Sequence, residues 1–224
     1  MCSTFKLPLV AAVLQRVDAK RELLDRVVPY DTSALLEYAP VTRDHVRRGG
    51  MTVEALCEAS VSLSDNTAAN LLLDTLGGPR GLTSFFRSLG DAVSRLDRTE
   101  PLLNTALPGD ERDTTTPAAM VGLVGEILVS SRTLSATSQK RLFGWLEHSP
   151  TGRSRLRAGL PGGWRAGDKT GTGENGATND VVIAWPPAGG PLVIAAYSIG
   201  SPRSPEQRSE TLAEVARIVT TAIG

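Results

Sequence analysis

The sequence predicts an α+β fold in which helices come first and a small antiparallel sheet follows. Apolar residues recur at helical spacing over the first two thirds of the chain. After a Gly/Pro-rich segment at 159–163, the pattern changes to three short strand-like runs. The chain then closes with one more amphipathic helix, with Leu212, Ala216 and Val219 on a single face. Helices, a meander of strands and a final helix form the order typical of an α+β protein.

The first helix is predicted to begin at about residue 3, because Leu7, Val10 and Leu14 recur at the spacing of one helical face. Pro8 is tolerated in a first turn, where its missing N–H is not needed. Further helices are predicted at 53–63, with Thr52 as N-cap, and at 66–76, 81–89, 117–129 and 135–147. The predicted strands are 164–170, 180–185 and 192–199. Residues 97–116 lack periodicity, and a loop of that length usually serves function.

The composition excludes several classes of function. The 224 residues carry 24 Lys+Arg against 24 Asp+Glu, and zero net charge argues against a nucleic-acid-binding protein. With 4 Phe, 3 Tyr and 3 Trp, stacking platforms for single strands are not expected either. No apolar run approaches the roughly 20 residues that cross a bilayer. What is left is a soluble enzyme or binding domain.

The first motif that suggests chemistry is Ser3-Thr4-Phe5-Lys6. On a helix, Lys6 would lie one turn beyond Ser3 on the same face, with its amine within reach of the hydroxyl. A serine becomes a nucleophile when a neighbouring base takes its proton, and a lysine does so only if its pKa is lowered. Taken alone, the motif is more often a capping serine followed by a surface lysine.

Three more short motifs follow along the chain. They are Ser64-Asp65-Asn66, Glu100-Pro101-Leu102-Leu103-Asn104 and Lys169-Thr170-Gly171-Thr172. Taken singly, the first is typical of a helix N-cap, the second of a solvated loop and the third of a strand end. Four such motifs in one order are not explained by capping and surface charge.

The order Ser-x-x-Lys, Ser-Asp-Asn, Glu-x-x-Leu-Asn and Lys-Thr-Gly resembles that of class A serine β-lactamases, and penicillin-binding proteins share part of it. The resemblance continues between the motifs, through MTVEALCEASVSLSDNTAANLLLDTLGGP and LPGGWRAGDKTGTGENG, and covers essentially the whole chain. It implies an all-α domain at 1–150 that carries the first three motifs. It also implies that 151–224 is the remaining part of an α/β domain, which carries Lys-Thr-Gly.

The resemblance implies an enzyme that opens the ring of penicillins and cephalosporins through a serine acyl-enzyme and so confers antibiotic resistance. Ser3 would attack the lactam carbonyl, and its proton would go either to Glu100, which holds a water with Asn104, or to Lys6. Glu100 would then be the base for deacylation, which needs an activated water. Penicillin-binding proteins lack a Glu-x-x-Leu-Asn loop of this kind, so its presence favours a hydrolase over an enzyme that merely becomes acylated.

The implied catalytic residues are Ser3, Lys6, Ser64, Glu100 and Lys169. The implied substrate-binding residues are Asn66, Asn104, Tyr38, Arg155, Thr170, Gly171 and Thr172. Within these sets, Ser64 would relay a proton to the departing nitrogen, and the N–H groups of Ser3 and Thr172 would form the oxyanion hole.

The resemblance implies that Arg155 takes the place of an arginine that this chain lacks. Many family members carry an arginine on the strand after Lys-Thr-Gly, whereas 176–180 has none here. Arg155 lies where other members place a replacement, and a surface charge is the alternative. The resemblance further implies an Ω-loop at 98–113, with its ends joined by an ion pair between Arg98 and Asp113.

Neither a disulfide nor a metal is expected. Cys2 and Cys57 match positions that are bridged in some family members, but the matching partners here are Gly173 and Val10. The two histidines have no partners at metal-binding spacing, so we expect no metal and no cofactor. The implied partner is a small β-lactam substrate, without nucleic acid or membrane, and a monomer is expected.

Family members carry an export signal, a helix and two strands before the nucleophile, whereas here Ser3 is the third residue. The family implies a periplasmic or secreted protein, although the chain shows no export signal. Without those elements, strand 192–199 would have an open edge and the last helix an uncovered apolar face. The alternative to an enzyme is therefore a non-catalytic fragment that carries the motifs without a stable fold.

Overall fold

The computed structural model describes residues 1–223 and confirms an α+β fold. The helices are α1 (Lys6–Asp18), α2 (Thr42–His45), α3 (Val53–Ser62), α4 (Asn66–Thr75), α5 (Gly78–Ser88), α6 (Pro117–Leu128), α7 (Ala136–His148) and α8 (Pro205–Ile223). The strands are β1 (Val27–Pro29), β2 (Gly50–Thr52), β3 (Arg165–Thr172), β4 (Thr178–Trp185) and β5 (Leu192–Ser198).

Strands β3, β4 and β5 form an antiparallel meander with β4 in the centre. Successive residues of β4 point to opposite faces, as in any strand. Val181 and Ile183 join the core of the helical body, whereas Val182 and Ala184 pack towards α8. The sheet is therefore covered on both faces, and β3 presents its motif towards the helical body. The boundary near residue 150 stays a prediction.

Helix α1 lies in the middle of the helical body. All its residues from Lys6 to Leu14 are buried, and it packs against α3, α4, α5 and α7. A helix that is enclosed on every side in this way is a core element rather than a surface helix. The residues at its N-terminal end are consequently attached to one of the best-packed parts of the molecule.

The start of the first helix was predicted three residues too early. Cys2–Phe5 forms a 3₁₀ turn, and the regular α-helix begins at Lys6. Pro8 explains the difference, because in a helix from residue 3 its missing N–H would break the hydrogen-bond ladder, whereas at the third helical position it is not needed.

The Gly-Gly-Pro segment joins two helices instead of only ending one. Gly77 has φ +86 and forms the left-handed junction after α4. Helix α5 then begins at Gly78, before the predicted residue 81, with Pro79 in its first turn. Strands β1 and β2, which pair antiparallel, were not predicted because three residues are too few to show a periodicity.

Candidate active site

The Ser3 hydroxyl lies between two basic groups. Ser3 is part of the 3₁₀ turn before α1, and its Oγ donates a hydrogen bond to Glu100 Oε1 at 3.1 Å. Lys6 Nζ donates to the same Oγ at 3.0 Å. Helical spacing predicted that the side chains of Ser3 and Lys6 would lie on one face. The 3₁₀ turn at Ser3 leaves them in hydrogen-bond contact.

Lys6 connects three of the motifs. Its side chain is completely buried, and Nζ donates to the carbonyl oxygen of Ser64 at 2.8 Å and to Asn66 Oδ1 at 2.5 Å. Nζ also lies 2.9 Å from Glu100 Oε1. Burial lowers the pKa of Lys6, and the charge of Glu100 opposes this effect. A lowered pKa is what a lysine needs to act as a base.

Lys169 reaches from the sheet to the helical body. Its Nζ donates to Ser64 Oγ at 3.0 Å and to the carbonyl oxygen of Thr170 at 2.9 Å. Burial holds the pKa of Lys169 well below its ordinary value, and the neighbouring charge of Lys6 lowers it further. Ser64 Oγ, which is also 3.3 Å from Lys6 Nζ, is therefore hydrogen-bonded to both lysines.

The middle residue of Ser-Asp-Asn is structural. Asp65 caps α4 by accepting the N–H of Ala68 at 2.9 Å. Its other oxygen accepts the N–H groups of Val41 and Thr42, both at 2.9 Å. These contacts hold the loop that carries Ser64, whose φ of 59 places it in the left-handed region.

The expected ion pair at the ends of the Ω-loop is confirmed. Arg98 Nε lies 2.5 Å from Asp113 Oδ2, while Asp113 Oδ1 accepts the N–H groups of Asp97 and Arg98. Within the loop, Asn104 Nδ2 donates to Glu100 Oε2 at 2.5 Å. Glu100 thus uses one carboxylate oxygen towards Ser3 and Lys6 and the other towards Asn104.

Asn70 is a positioning residue that the sequence analysis missed. Its Nδ2 donates to the carbonyl oxygen of Glu100 at 2.9 Å, and its Oδ1 accepts the N–H of Glu100 at 3.0 Å. This two-point contact fixes the backbone of Glu100 against α4. The available signal was the i, i+4 spacing of Asn66 and Asn70, which places both side chains on one face of the helix.

A pocket of about 410 Å³ joins most of the predicted site residues. Its lining residues are Ser3, Tyr38, Ser64, Asn66, Asn104, Thr151, Arg155, Thr170 and Thr172. Lys6, Glu100 and Lys169 are buried beneath it, and Tyr38 is half exposed at the surface. Thr151 was not among the predicted residues, because a single threonine in a turn has no distinguishing pattern.

Arg155 is bound to the end of β3 rather than projecting as a surface charge. Its Nη1 donates to the carbonyl oxygens of Gly171 at 3.1 Å and Asn179 at 2.8 Å. Its Nη2 donates to Thr172 Oγ1 at 2.7 Å. These contacts and its place in the pocket wall favour the substrate-binding interpretation of Arg155, which stays a prediction. The guanidinium adds positive charge beside Lys169 and Thr172.

Gly171 contributes space instead of a side chain. A Cβ on this residue would lie 2.9 Å from the carbonyl oxygen of Met1 and 3.2 Å from Cys2 Cβ. The glycine therefore lets β3 approach the turn that carries Ser3, as close backbone contacts require.

Comparison with known proteins matches this geometry to one family. The model of the "Beta-lactamase enzyme family" matches residues 1–223. The chain belongs to the β-lactamase family. It is 48% identical over 224 residues to β-lactamase AST-1 of Nocardia asteroides, covering 100% of this chain and 72% of the relative. It is 48% identical over 225 residues to β-lactamase L2 of Stenotrophomonas maltophilia, covering 100% and 74%.

A solved structure assigns the class. The class A β-lactamase described as the last common ancestor of Gram-negative bacteria superposes with a TM-score of 0.97 at 55% identity, covering 100% of this chain and 85% of that one. The fold is thus that of a class A β-lactamase. Within residues 1–223 of this family member, both cysteines are free and buried, and His, Cys, Asp and Glu form no cluster suited to a metal.

A buried carboxylate lies behind the β-lactamase pocket. Asp180 on β4 pairs with Thr170 in the strand register and is completely buried. Its Oδ2 accepts the N–H of Leu156 at 3.1 Å, while Oδ1 has no hydrogen-bond partner in the described part of the chain. Burial raises the pKa of Asp180 to about 6, although the guanidinium of Arg155 acts in the opposite direction.

Asp180 is expected to make the stability of this β-lactamase depend on pH. Because its pKa is higher in the folded than in the unfolded chain, its stabilising contribution is complete below about pH 4 and is lost as pH rises through about 6. Relative to Asp180→Asn, which does not titrate, the parent's free energy of unfolding should fall by up to about 3 kcal/mol between about pH 4 and pH 8. Urea denaturation of both proteins measures this difference, and a difference independent of pH would contradict the prediction.

Proposed function

We propose that this chain hydrolyses the β-lactam ring of penicillins and cephalosporins through an acyl-enzyme on Ser3. The observation that carries the proposal is the position of Ser3 Oγ, 3.1 Å from Glu100 Oε1 and 3.0 Å from Lys6 Nζ. A hydroxyl in contact with two bases, on the wall of a pocket, is the arrangement of an activated nucleophile. Family membership supplies the substrate class.

In the acylation step, Ser3 Oγ bonds to the lactam carbonyl carbon and the carbon–nitrogen bond breaks. The proton of Ser3 passes to Glu100 or to neutral Lys6, both of which are within hydrogen-bond distance. Ser64 gives its proton to the leaving nitrogen and recovers one through its hydrogen bonds with Lys6 and Lys169. The N–H groups of Ser3 and Thr172 stabilise the oxyanion in this proposal.

In the deacylation step, a water held by Glu100 and Asn104 attacks the ester carbonyl. Glu100 takes one proton from this water, the ester bond to Ser3 breaks, and Ser3 recovers a proton. The contact of Asn104 Nδ2 with Glu100 Oε2 supports this role, because it fixes the carboxylate through the oxygen that Ser3 does not contact. The product is the ring-opened acid with a new carboxylate.

Substrate binding is assigned to the rim of the pocket. Thr170, Thr172 and Arg155 lie together at the end of β3, where they would meet the substrate carboxylate. Asn66 would bind the side-chain amide, and Tyr38 would contact the substrate at the pocket mouth. Charge-assisted hydrogen bonds of this kind are stronger than neutral ones.

The proposal is tested by incubating the 224-residue chain with a chromogenic cephalosporin and with a penicillin. Turnover followed by absorbance, with a transient mass increase of one intact penicillin, is the expected result. A permanent adduct without turnover would indicate an enzyme that is only acylated. The absence of both an adduct and turnover would contradict the proposal and would support the non-catalytic alternative.

Arg155→Ala is expected to raise KM for substrates that carry the ring carboxylate, because 176–180 offers no other arginine. The loss should be about 1–3 kcal/mol in kcat/KM, as for a hydrogen bond to a charged group. Steady-state kinetics measure it, with Arg153→Ala as control, since Arg153 is an exposed arginine two residues earlier. If both variants have the parental KM, Arg155 does not bind the carboxylate.

The place of action is proposed to be the periplasm or the outside of the cell. This proposal rests on the resemblance to exported class A enzymes. In residues 1–223, no helix has both the length and the apolar character needed to cross a bilayer.

A further inference from the structure

A row of three hydroxyl groups leads from the end of α3 to the pocket. At its buried end, Ser149 Oγ donates to the carbonyl oxygen of Ser62 at 2.9 Å. Thr151 Oγ1 lies 3.0 Å from Ser149 Oγ. At the pocket end, Thr170 Oγ1 donates to Thr151 Oγ1 at 3.0 Å. The row therefore connects a helix carbonyl with a residue of the Lys-Thr-Gly motif.

The direction of the hydrogen bonds in this row is set at its buried end. A carbonyl oxygen only accepts, so the single proton of Ser149 is directed to Ser62. Ser149 Oγ then accepts from Thr151, both from its hydroxyl and from its N–H at 3.3 Å. Because Ser149 is completely buried, no bulk water competes for these bonds.

The same order continues to the pocket. With its own proton directed to Ser149, Thr151 Oγ1 accepts a proton from Thr170. The Thr170 hydroxyl therefore points its proton towards Thr151 and away from the pocket. A carboxylate only accepts hydrogen bonds, so Thr170 must turn its proton away from Thr151 before it donates to a substrate carboxylate.

We propose that Thr151 is a specificity-determining residue that withholds the Thr170 hydroxyl proton from the substrate carboxylate. The proposal rests on the proposed function, in which Thr170 meets that carboxylate. Binding of an anionic substrate breaks the hydrogen bond between Thr170 and Thr151. The affinity of the protein for that substrate is therefore lower, by the contribution of this bond, than it would be if the Thr170 hydroxyl were free. A substrate with a neutral group in place of the carboxylate gains less from this rearrangement, because its hydrogen bond with Thr170 is weaker. Thr151 therefore reduces the difference in affinity between anionic and neutral substrates.

Thr151→Val is the direct test, because valine has the same shape but no hydroxyl. KM for a penicillin with a free carboxylate is expected to fall about fivefold with little change in kcat, as for the loss of one competing neutral hydrogen bond. KM for the methyl ester of the same penicillin should fall less, because a neutral ester oxygen accepts a weaker hydrogen bond than a carboxylate oxygen does. Thr151→Ser keeps the hydroxyl and is expected to restore the parental KM for the free acid.

Ser149→Ala tests the direction of the row independently. Without Ser149, Thr151 is free to donate to Thr170, whose own proton then points into the pocket. KM for the free acid should again fall, and thermal unfolding of both variants verifies that the fold is intact.

The results separate this inference from the function on which it rests. If the parent turns over but Thr151→Val leaves KM for the free acid unchanged or raises it, the inference is wrong and the proposed function stands. An equal fall for the acid and the ester would also overturn it, because the effect would not involve the carboxylate. If the parent neither hydrolyses penicillin nor forms an adduct, the proposed function fails and this inference fails with it.

Discussion

Ser3→Ala is expected to abolish both hydrolysis of a chromogenic cephalosporin and covalent labelling by a penicillin. Ser3 Oγ is the hydroxyl that contacts Glu100 and Lys6 together, so its removal leaves the pocket without an activated nucleophile. The loss in kcat should be on the order of 10⁶-fold, as for nucleophiles of other serine hydrolases. Absorbance assays and intact mass measure the two effects.

The matched control is Ser84→Ala, since Ser84 is an exposed serine on α5 whose Oγ bonds within its own helix. It should keep parental turnover and labelling. An adduct that persists in Ser3→Ala, for example on Ser64, would assign the nucleophile elsewhere.

Glu100→Ala is expected to separate the two halves of the reaction. The acyl-enzyme should still form but accumulate, because the attacking water loses its base while Lys6 keeps its contact with Ser3. Deacylation should slow by about 10²–10⁴-fold, the usual contribution of a general base. Intact mass at successive times after mixing, together with the size of the kinetic burst, measures the accumulation.

Glu111→Ala is the control, because Glu111 is an exposed glutamate of the same Ω-loop. Parental turnover in Glu100→Ala would exclude Glu100 as the deacylation base. A complete absence of adduct would show instead that Glu100 also takes the proton in acylation, which decides between Glu100 and Lys6.

The main helices and the meander were predictable because their signals are local. Thr52 and Asp65 cap helices within three residues, and apolar residues mark the buried face of each element. Strands β1 and β2 depend instead on pairing between Val28 and Met51, which are far apart in the chain. The helix start was misjudged because the effect of Pro8 depends on the register of the helix around it.

The site was predictable as a set of motifs but not as a network. Asn70 and Thr151 act through contacts with residues 30 and 19 positions away. Thr151 stands out neither by type nor by spacing, and the spacing of Asn70 from Asn66 places it on a helix face without indicating its contact with Glu100. The sequence also left Arg155 between two interpretations, because only its hydrogen bonds to the end of β3 distinguish a pocket residue from a surface charge. Local sequence patterns do not show which residues from distant segments are in contact.

The two buried lysines beneath the pocket limit how this molecule can evolve. Lys6 and Lys169 are both completely buried, and burial opposes their charged forms. Keeping two positive groups in the interior costs folding free energy, so they are groups that the reaction needs and that stability alone does not favour. A lineage that must keep activity therefore has to gain folding stability at positions away from the pocket, in helix caps, loops and surface charges. Tolerance to new pocket substitutions would then depend on gains made at distant sites.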